Sequence, residues 1–375
     1  MTIEWTELAR VSLAAALVAV AGMCTSCTGQ EKSHKELLGK PDLVAEDAAR
    51  DLKQTVVTPT LDAAIEPGRS LLWCSTFKLA WNELGTLMGP PLKVSGSGDA
   101  VELGALLNRS PQSKQDLDDG SYVADAGGPE VLARIRAALE SKFKGAASPE
   151  LLPANLEEGE LLAYAYLFKN LSFATPFIRR EQPLDFGGKG VGAFGLWSGG
   201  KNDSRDAMLK QVRILRYESD EVFTVELTTT SEGDRLVIAK VVPGRTLGAT
   251  VQNAMGTLNP TEEIPFRYGD SLVVPVMNFD VTRDVKELVG ASVSGSKSGG
   301  VVTSALQNIR FRLDENGAIL KSEAAIGITS ASPVRDKQMV CDDAFLVLMM
   351  RKDAAHPYFA AWIDSPELLS PFRAK

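Results

Sequence analysis

Residues 308–369 read NIRFRLDENGAILKSEAAIGITSASPVRDKQMVCDDAFLVLMMRKDAAHPYFAAWIDSPELL. Ile309, Phe311 and Leu313 alternate with Asn308, Arg310 and Arg312, the period of a strand with one buried face. Asn316-Gly317 between alternating apolar runs is the strongest short-range signal for a tight hairpin. With those two residues as the loop, Leu313 faces Leu320, Phe311 faces Ser322 and Ile309 faces Ala324. On the other face Arg310 meets Glu323, a cross-strand charge pair of the kind contributing ~0.2–1 kcal/mol. Ile326 and Ile328 continue the apolar side. The runs 345–350 and 358–363 form a closing strand pair around the turn that carries His356.

Working outward, further strands are expected at 161–169, 211–219, 221–229, 234–242 and 271–281, each closed by Gly, Pro, Asn or Asp. A helix is expected at 284–289, followed by a Gly/Ser-rich stretch at 292–300. The earlier half differs. A short buried strand, 70–77, runs into a helix that stops at Gly89-Pro90-Pro91, and a second short helix is predicted at 101–107. Pro129 opens the clearest helix, with Leu132, Ile135 and Leu139 on one face and Gly145 past its end. Helices early and antiparallel strands late describe an α+β domain without internal repeats.

At the N-terminus, residues 11–23 form an uncharged apolar stretch preceded by Arg10. Thirteen helical residues rise ~20 Å, short of the ~30 Å hydrocarbon core, so the stretch fits a secretory signal better than a spanning helix. Cys24 and Cys27 follow directly. The polar stretch 28–65 reads as a tether whose centre, 43–52, has the pattern of a short amphipathic helix. The expected organisation is therefore a signal peptide at 1–27, a tether at 28–65 and a folded domain at 66–375.

Composition narrows the chemistry. The 375 residues carry 40 basic and 48 acidic side chains, a net charge of −8 with no basic run, which argues against nucleic acid as a partner. Two histidines, His34 and His356, and four cysteines leave little from which to build a metal site or a Ser-His-Asp triad, and no cofactor is expected. Gly190, Gly192 and Gly195 satisfy G-x-G-x-x-G, but strand rather than helix follows, so a loop is the better reading. The run 195–202 ends in Asn202, where a phosphate-binding loop needs a hydroxyl for Mg²⁺. Cys74 and Cys341 flank apolar strands and read as small buried hydrophobes, with pairing open to an exported chain.

The C-terminal run resembles the end of a serpin. Asp314, Glu315 and Gly317 match that family's Asp-Glu-x-Gly, and Ser322, Glu323, Ala324 and Ala325 match its small-residue hinge. Elsewhere Tyr166, Leu167, Phe168 and Lys169, with Pro176-Phe177 beyond them, resemble a second family motif. The order of strands from Tyr217 to Pro243-Gly244 and the run Val274-Pro275-Val276-Met277-Asn278-Phe279 agree as well. Cys27, after Thr25 and Ser26, resembles the lipidated cysteine of bacterial lipoprotein signals. Two departures stand out: fewer residues separate Trp73 from Phe168 than serpins use, and Ala318-Ile319-Leu320-Lys321 intervene between Gly317 and the hinge-like residues.

The resemblance implies a multi-sheet serpin-like fold over roughly 70–364 in an exported, monomeric protein that is not an enzyme and meets membrane only through its signal or lipid anchor. Thirteen residues on from Ser322 stands Arg335, where a serpin presents its scissile bond to a trypsin-like serine protease. Two alternatives stay open: an inhibitor with a reactive loop around Arg335, or a non-inhibitory envelope protein binding a protein or ligand, its hinge segment already a strand. The alternating hairpin favours the second.

Overall fold

The computed structural model describes residues 52–144, 149, 151–197, 205–262, 264–317 and 336–373. In the first half the elements are β1 (Thr55–Val57), β2 (Ser70–Cys74), α1 (Thr76–Met88), β3 (Lys93–Ser95), α2 (Gly98–Arg109), β4 (Tyr122–Gly127), α3 (Val131–Phe143) and β5 (Leu162–Leu167). Short strands β6 (Ile178–Arg179), β7 (Leu184–Phe186), β8 (Lys189–Val191) and β9 (Ala193–Leu196) lead to α4 (Arg205–Leu209). Then come β10 (Val212–Ser219), β11 (Val222–Leu227), β12 (Asp234–Lys240), α5 (Leu247–Met255), β13 (Ser271–Pro275) and β14 (Met277–Asp284). The chain closes with β15 (Ser292–Ser294), β16 (Gly299–Val301), β17 (Leu306–Leu313), β18 (Gln338–Val340), β19 (Phe345–Arg351) and β20 (Phe359–Ile363).

The central sheet has the order β1-β2-β20-β19-β12-β11-β10, antiparallel except where β1 meets β2. Its middle strands are apolar on both faces because both are covered. Phe345, Val347 and Met349 of β19 and Leu236 and Ile238 of β12 enter the main core, shared with β13, β14 and β17. Leu346, Leu348 and Met350, with Val237 and Ala239, turn to a second core closed by Leu247, Val251 and Ala254 of α5. Trp362 and Trp73 sit in that second core at 1% exposure each. Each such fully buried large side chain contributes on the order of 1.5–3 kcal/mol of transfer free energy.

A four-stranded sheet, β18-β13-β9-β6, covers one side of the main core, and the pairs β4–β5 and β14–β17 form further ribbons. Helix α3 lies on the ribbon β4–β5, packing Val131, Ile135, Leu139 and Phe143 against Val123 and Tyr164. Among the described residues no helix is long and apolar enough to cross a membrane.

Two local expectations are corrected. Residues 284–289 are not helical: β14 runs on to Asp284, held by an eight-residue ladder to β17, and turns follow. Six residues are too few to nucleate a helix against that ladder. The hairpin after Leu313 is also displaced. Asp314 and Gly317 pair, so Glu315 and Asn316 form the loop rather than Asn316 and Gly317. An Asn316-Gly317 loop of the primed type needs positive φ at Asn316, but among the described residues the only non-glycine with positive φ is Lys144. Asp at the first and Gly at the fourth position suit a type I turn instead. The return arm, with residues 320, 322, 323 and 324, lies outside the described residues, and Arg310 is ion-paired to Asp280 across β14 at 2.5 Å.

Candidate functional site

Two strand edges converge at one point. Among the described residues β5 pairs only with β4, and β17 only with β14. Both ribbons cover the same core: Ala165 and Leu167 of β5, like Ile309 and Leu313 of β17, pack into it. Their ends meet at Gly317, which bridges Ser172 and Asp314, antiparallel in both cases. Gly317 therefore sits between the end of β17 and the continuation of β5, where a middle strand would begin.

The turn is built to stay there. The Asp314 carboxylate accepts from the Asn316 backbone N–H at 2.9 Å, an Asx turn, and from Arg312 Nε at 2.7 Å. The chain after β5 then captures the loop: Phe173 N donates to Asn316 O at 3.0 Å and Phe177 N to Glu315 O at 2.7 Å. Glu315 is ion-paired to Arg179 at 2.9 Å. Gly317 has φ +88°, and a Cβ there would overlap the backbone at Leu171 and Phe173. Only glycine fits this crossing without strain.

Behind the turn lies a buried polar cluster. Lys169 Nζ donates to Asp234 at 3.0 and 3.1 Å and pairs with Asp118. Asp234 also accepts from Tyr358 Oη at 3.1 Å and Ser231 Oγ at 2.7 Å. Burial, with the Asp234 charge beside it, pushes the Tyr358 phenol well above its ordinary range. Burial works against the Asp118 carboxylate, but the Lys169 pair outweighs it and lowers the pKa. The cluster fastens the end of β5 to β12 and to the turn before β20.

The other end of the segment 318–335 is held separately. Lys337 N and Nζ both donate to Asp270, at 2.8 Å each, and Ser271 N returns a bond to Lys337 O at 2.8 Å. Gln338 N donates to Asp220 Oδ1 at 3.0 Å, and β18 then runs parallel to β13. Past it, Lys240 binds Asp342 at 2.8 Å and Glu221 at 2.5 Å. Burial disfavours the Lys240 charge, yet these two carboxylates win and raise its pKa. Pairs such as Asp270–Lys337 are 67 residues apart and follow no sequence period, so only the fold reveals them.

The hinge-like Ser322, Glu323, Ala324 and Ala325, the bait candidate Arg335 and the lipidation candidate Cys27 lie outside the described residues. Cys74 and Cys341 are buried and unpaired, and burial raises both thiols. His356 sits in the turn between β19 and β20 against Asp116, 3.1 Å from Nδ1. Of the three motif glycines, Gly190 lies in β8, Gly195 in β9 and Gly192 between them, and a Cβ on Gly195 would overlap Leu272 O of β13. That glycine serves close strand packing. Among the described residues no three ligating side chains cluster as a metal site would require.

The chain is similar to solved serpin-type structures across most of its length. Serpin48, a highly specific serpin of the insect Tenebrio molitor, is 13% identical, with TM-score 0.44 over 80% of this chain and 92% of that one. Native protease nexin-1 with heparin is 12% identical, TM-score 0.40, over 78% and 97%. Thyroxine-binding globulin in complex with thyroxine is 12% identical, TM-score 0.40, over 76% and 89%. No family model matches the sequence, and no curated protein matches it.

Proposed function

We propose that the protein is a serpin-type protease trap in which a serine protease cuts the segment after Gly317 and the freed segment enters between β5 and β17 as a strand. The double bridge of Gly317, to Ser172 and to Asp314, carries this reading. It sets the segment's first residue between two strand edges that have no other partner among the described residues. Unpaired strand edges are ready templates for another strand. Arg335 is the bait under this reading and the protease is of trypsin type. Incubation with a panel of trypsin-like proteases should give an SDS-stable complex that Arg335→Ala abolishes. No complex with any member of a broad panel would sink the trap.

A second reading, a non-inhibitory binding protein with the segment settled in the sheet, draws on the closeness of the turn. Asp314 and Gly317 exchange both backbone hydrogen bonds, at 3.1 Å each, as a formed hairpin does. The melting temperature after cleavage separates the two. A large rise means the segment entered on cutting, and an unchanged value means it was already a strand. Export and lipidation at Cys27 rest on residues 1–27 of the sequence. Membrane fractionation of wild type and Cys27→Ser tests both, with loss of the membrane-bound form expected on substitution.

A further inference from the structure

Three chain segments meet in a closed ring of backbone hydrogen bonds. Val276 N donates to Gly192 O at 2.8 Å, Gly192 N to Ser370 O at 2.9 Å, and Ser370 N to Val276 O at 2.8 Å. We infer that residues 369–372 act as a strap, and that Ser370 and Gly192 are positioning residues for Arg179. Through them the strap sets how firmly Glu315, and with it the turn at 314–317, is held. This rests on the proposed function, in which that turn stands at the mouth of the β5–β17 gap.

Three observations support it. First, the strap is built into the fold at both ends. Leu369 bridges Met277 and Pro371 bridges Val191, antiparallel in both cases, and Phe372 N donates to Gly190 O at 3.1 Å. Leu368 and Leu369 lie in the main core, and just before them the Glu367 carboxylate accepts from Lys53 N at 2.6 Å and Gln54 N at 3.0 Å. Second, Gly192 is the bend between β8 and β9, and the chain leaving it pairs at once with β6. Arg180 N donates to Ala193 O at 2.8 Å, and Arg179 stands opposite Phe194. Third, the Arg179 side chain rests on that bend. A Cβ at Gly192 would lie 2.9 Å from Arg179 Nη2 and 3.6 Å from Ser370 O, so guanidinium and strap press on the same side of the residue. The other nitrogen of that guanidinium, Nη1, donates to Glu315 Oε2 at 2.9 Å.

The Arg179 side chain is 39% exposed, so the attraction between the two charges is itself weak. Fixing a long side chain costs rotamer entropy, and a guanidinium already confined by its surroundings loses less of it on binding a carboxylate. Gly192 and the Ser370 carbonyl supply that confinement. When the ring opens, the bend is free to shift and the guanidinium loses its wall. The loosened Glu315 then exposes the next contact in line, the Phe177 N–H bonded to the Glu315 carbonyl at 2.7 Å. Residues joined by such a chain of contacts respond non-additively to substitution, which gives the coupling a signature.

The test is native-state hydrogen exchange of the full chain, comparing wild type, Ser370→Ala and Ser370→Pro. Proline removes the donor to Val276 with little strain, because Leu369 already has φ −89° and ψ 139°, the extended conformation that precedes proline. Alanine keeps the donor. In Ser370→Pro, exchange at Gly192 should rise about tenfold, the factor that loss of one hydrogen bond implies, and Phe177 should follow by a smaller factor. Ser370→Ala should match wild type, and the amides of β12 and β19, which report global opening, should stay unchanged throughout. In an Arg179→Gln background the gain at Phe177 should vanish, since the route to Glu315 is gone. A gain that persists there, or a Phe177 rate that stays at wild type while Gly192 accelerates, would overturn the inference. Should Ser370→Pro fail to fold, Gly192→Ala decides: its Cβ first meets the flexible tip of Arg179 and leaves the ring bonds in place, so an unchanged Phe177 rate sinks the coupling. No protease enters the measurement. A trap that gives no SDS-stable complex leaves the coupling standing, and a missing coupling leaves the trap standing.

Discussion

Gly317 faces Ser172 across an antiparallel bridge while its own N–H and carbonyl are bonded to Asp314. One residue thus joins the end of β17 to the chain beyond β5, and its missing side chain is what lets the backbones meet. Gly317→Ala should strain a positive φ and push on Leu171 and Phe173, lowering stability by about 2 kcal/mol. The denaturant midpoint measures this. An unchanged midpoint would mean that the junction opens without cost.

The Arg179–Glu315 pair is partly exposed, and such pairs are worth little in isolation, about 0–1 kcal/mol. Glu315→Gln should therefore barely move the melting temperature. It should nevertheless speed hydrogen exchange at Phe177, whose N–H donates to the Glu315 carbonyl. A drop of several degrees with no exchange effect would contradict this assignment.

Lys78 lies on the buried face of α1, and among the described residues no carboxylate pairs with it. Desolvation lowers its pKa from 10.5. In the window between the lowered value and 10.5 the unfolded chain binds more protons, so stability rises with pH there. The charge therefore costs stability at neutral pH, and the cost fades as pH approaches 10.5. Lys78→Met should raise the melting temperature at pH ~7 by about 1–3 °C, with a smaller gain at alkaline pH. A loss at neutral pH would show that the ammonium has a partner in solution.

Cys74 and Cys341 are buried thiols with raised pKa, so neither should react with an alkylating reagent in the native protein at mildly alkaline pH. Both should label after denaturation. Mass spectrometry of tryptic peptides reads the two sites separately, and native labelling at Cys341 would mean that β18 leaves β13.

Much of this architecture was legible because its signals are periodic. The alternation of Ile309, Phe311 and Leu313 marked β17, the runs at 345–350 and 358–363 marked β19 and β20, and Leu132, Ile135 and Leu139 marked α3. Helix α5 is hard to read from sequence because Gly248 and Thr250 interrupt its apolar run, although Thr246 and Gly256 cap its two ends. The hairpin itself is legible but its loop sits one residue earlier than Asn-Gly indicates, since Asp314-Glu315-Asn316-Gly317 carries two turn signals and the Asp314 carboxylate decides between them. The contacts that hold the segment's two ends, Arg179–Glu315 and Asp270–Lys337, link residues far apart in sequence, and a single sequence carries no trace of such pairing.

Under the proposed insertion the Lys169 cluster would have a kinetic consequence. It pins β5 at the same end where Gly317 already touches Ser172. A strand entering between β5 and β17 would then lengthen a bridge already made, and no free chain end would have to be captured. The loop-closure entropy of that first contact would already be met by the Gly317 bridge. Growth would run in one direction, outward from Gly317 towards Leu306, one register step at a time, like a zip whose slider is already engaged.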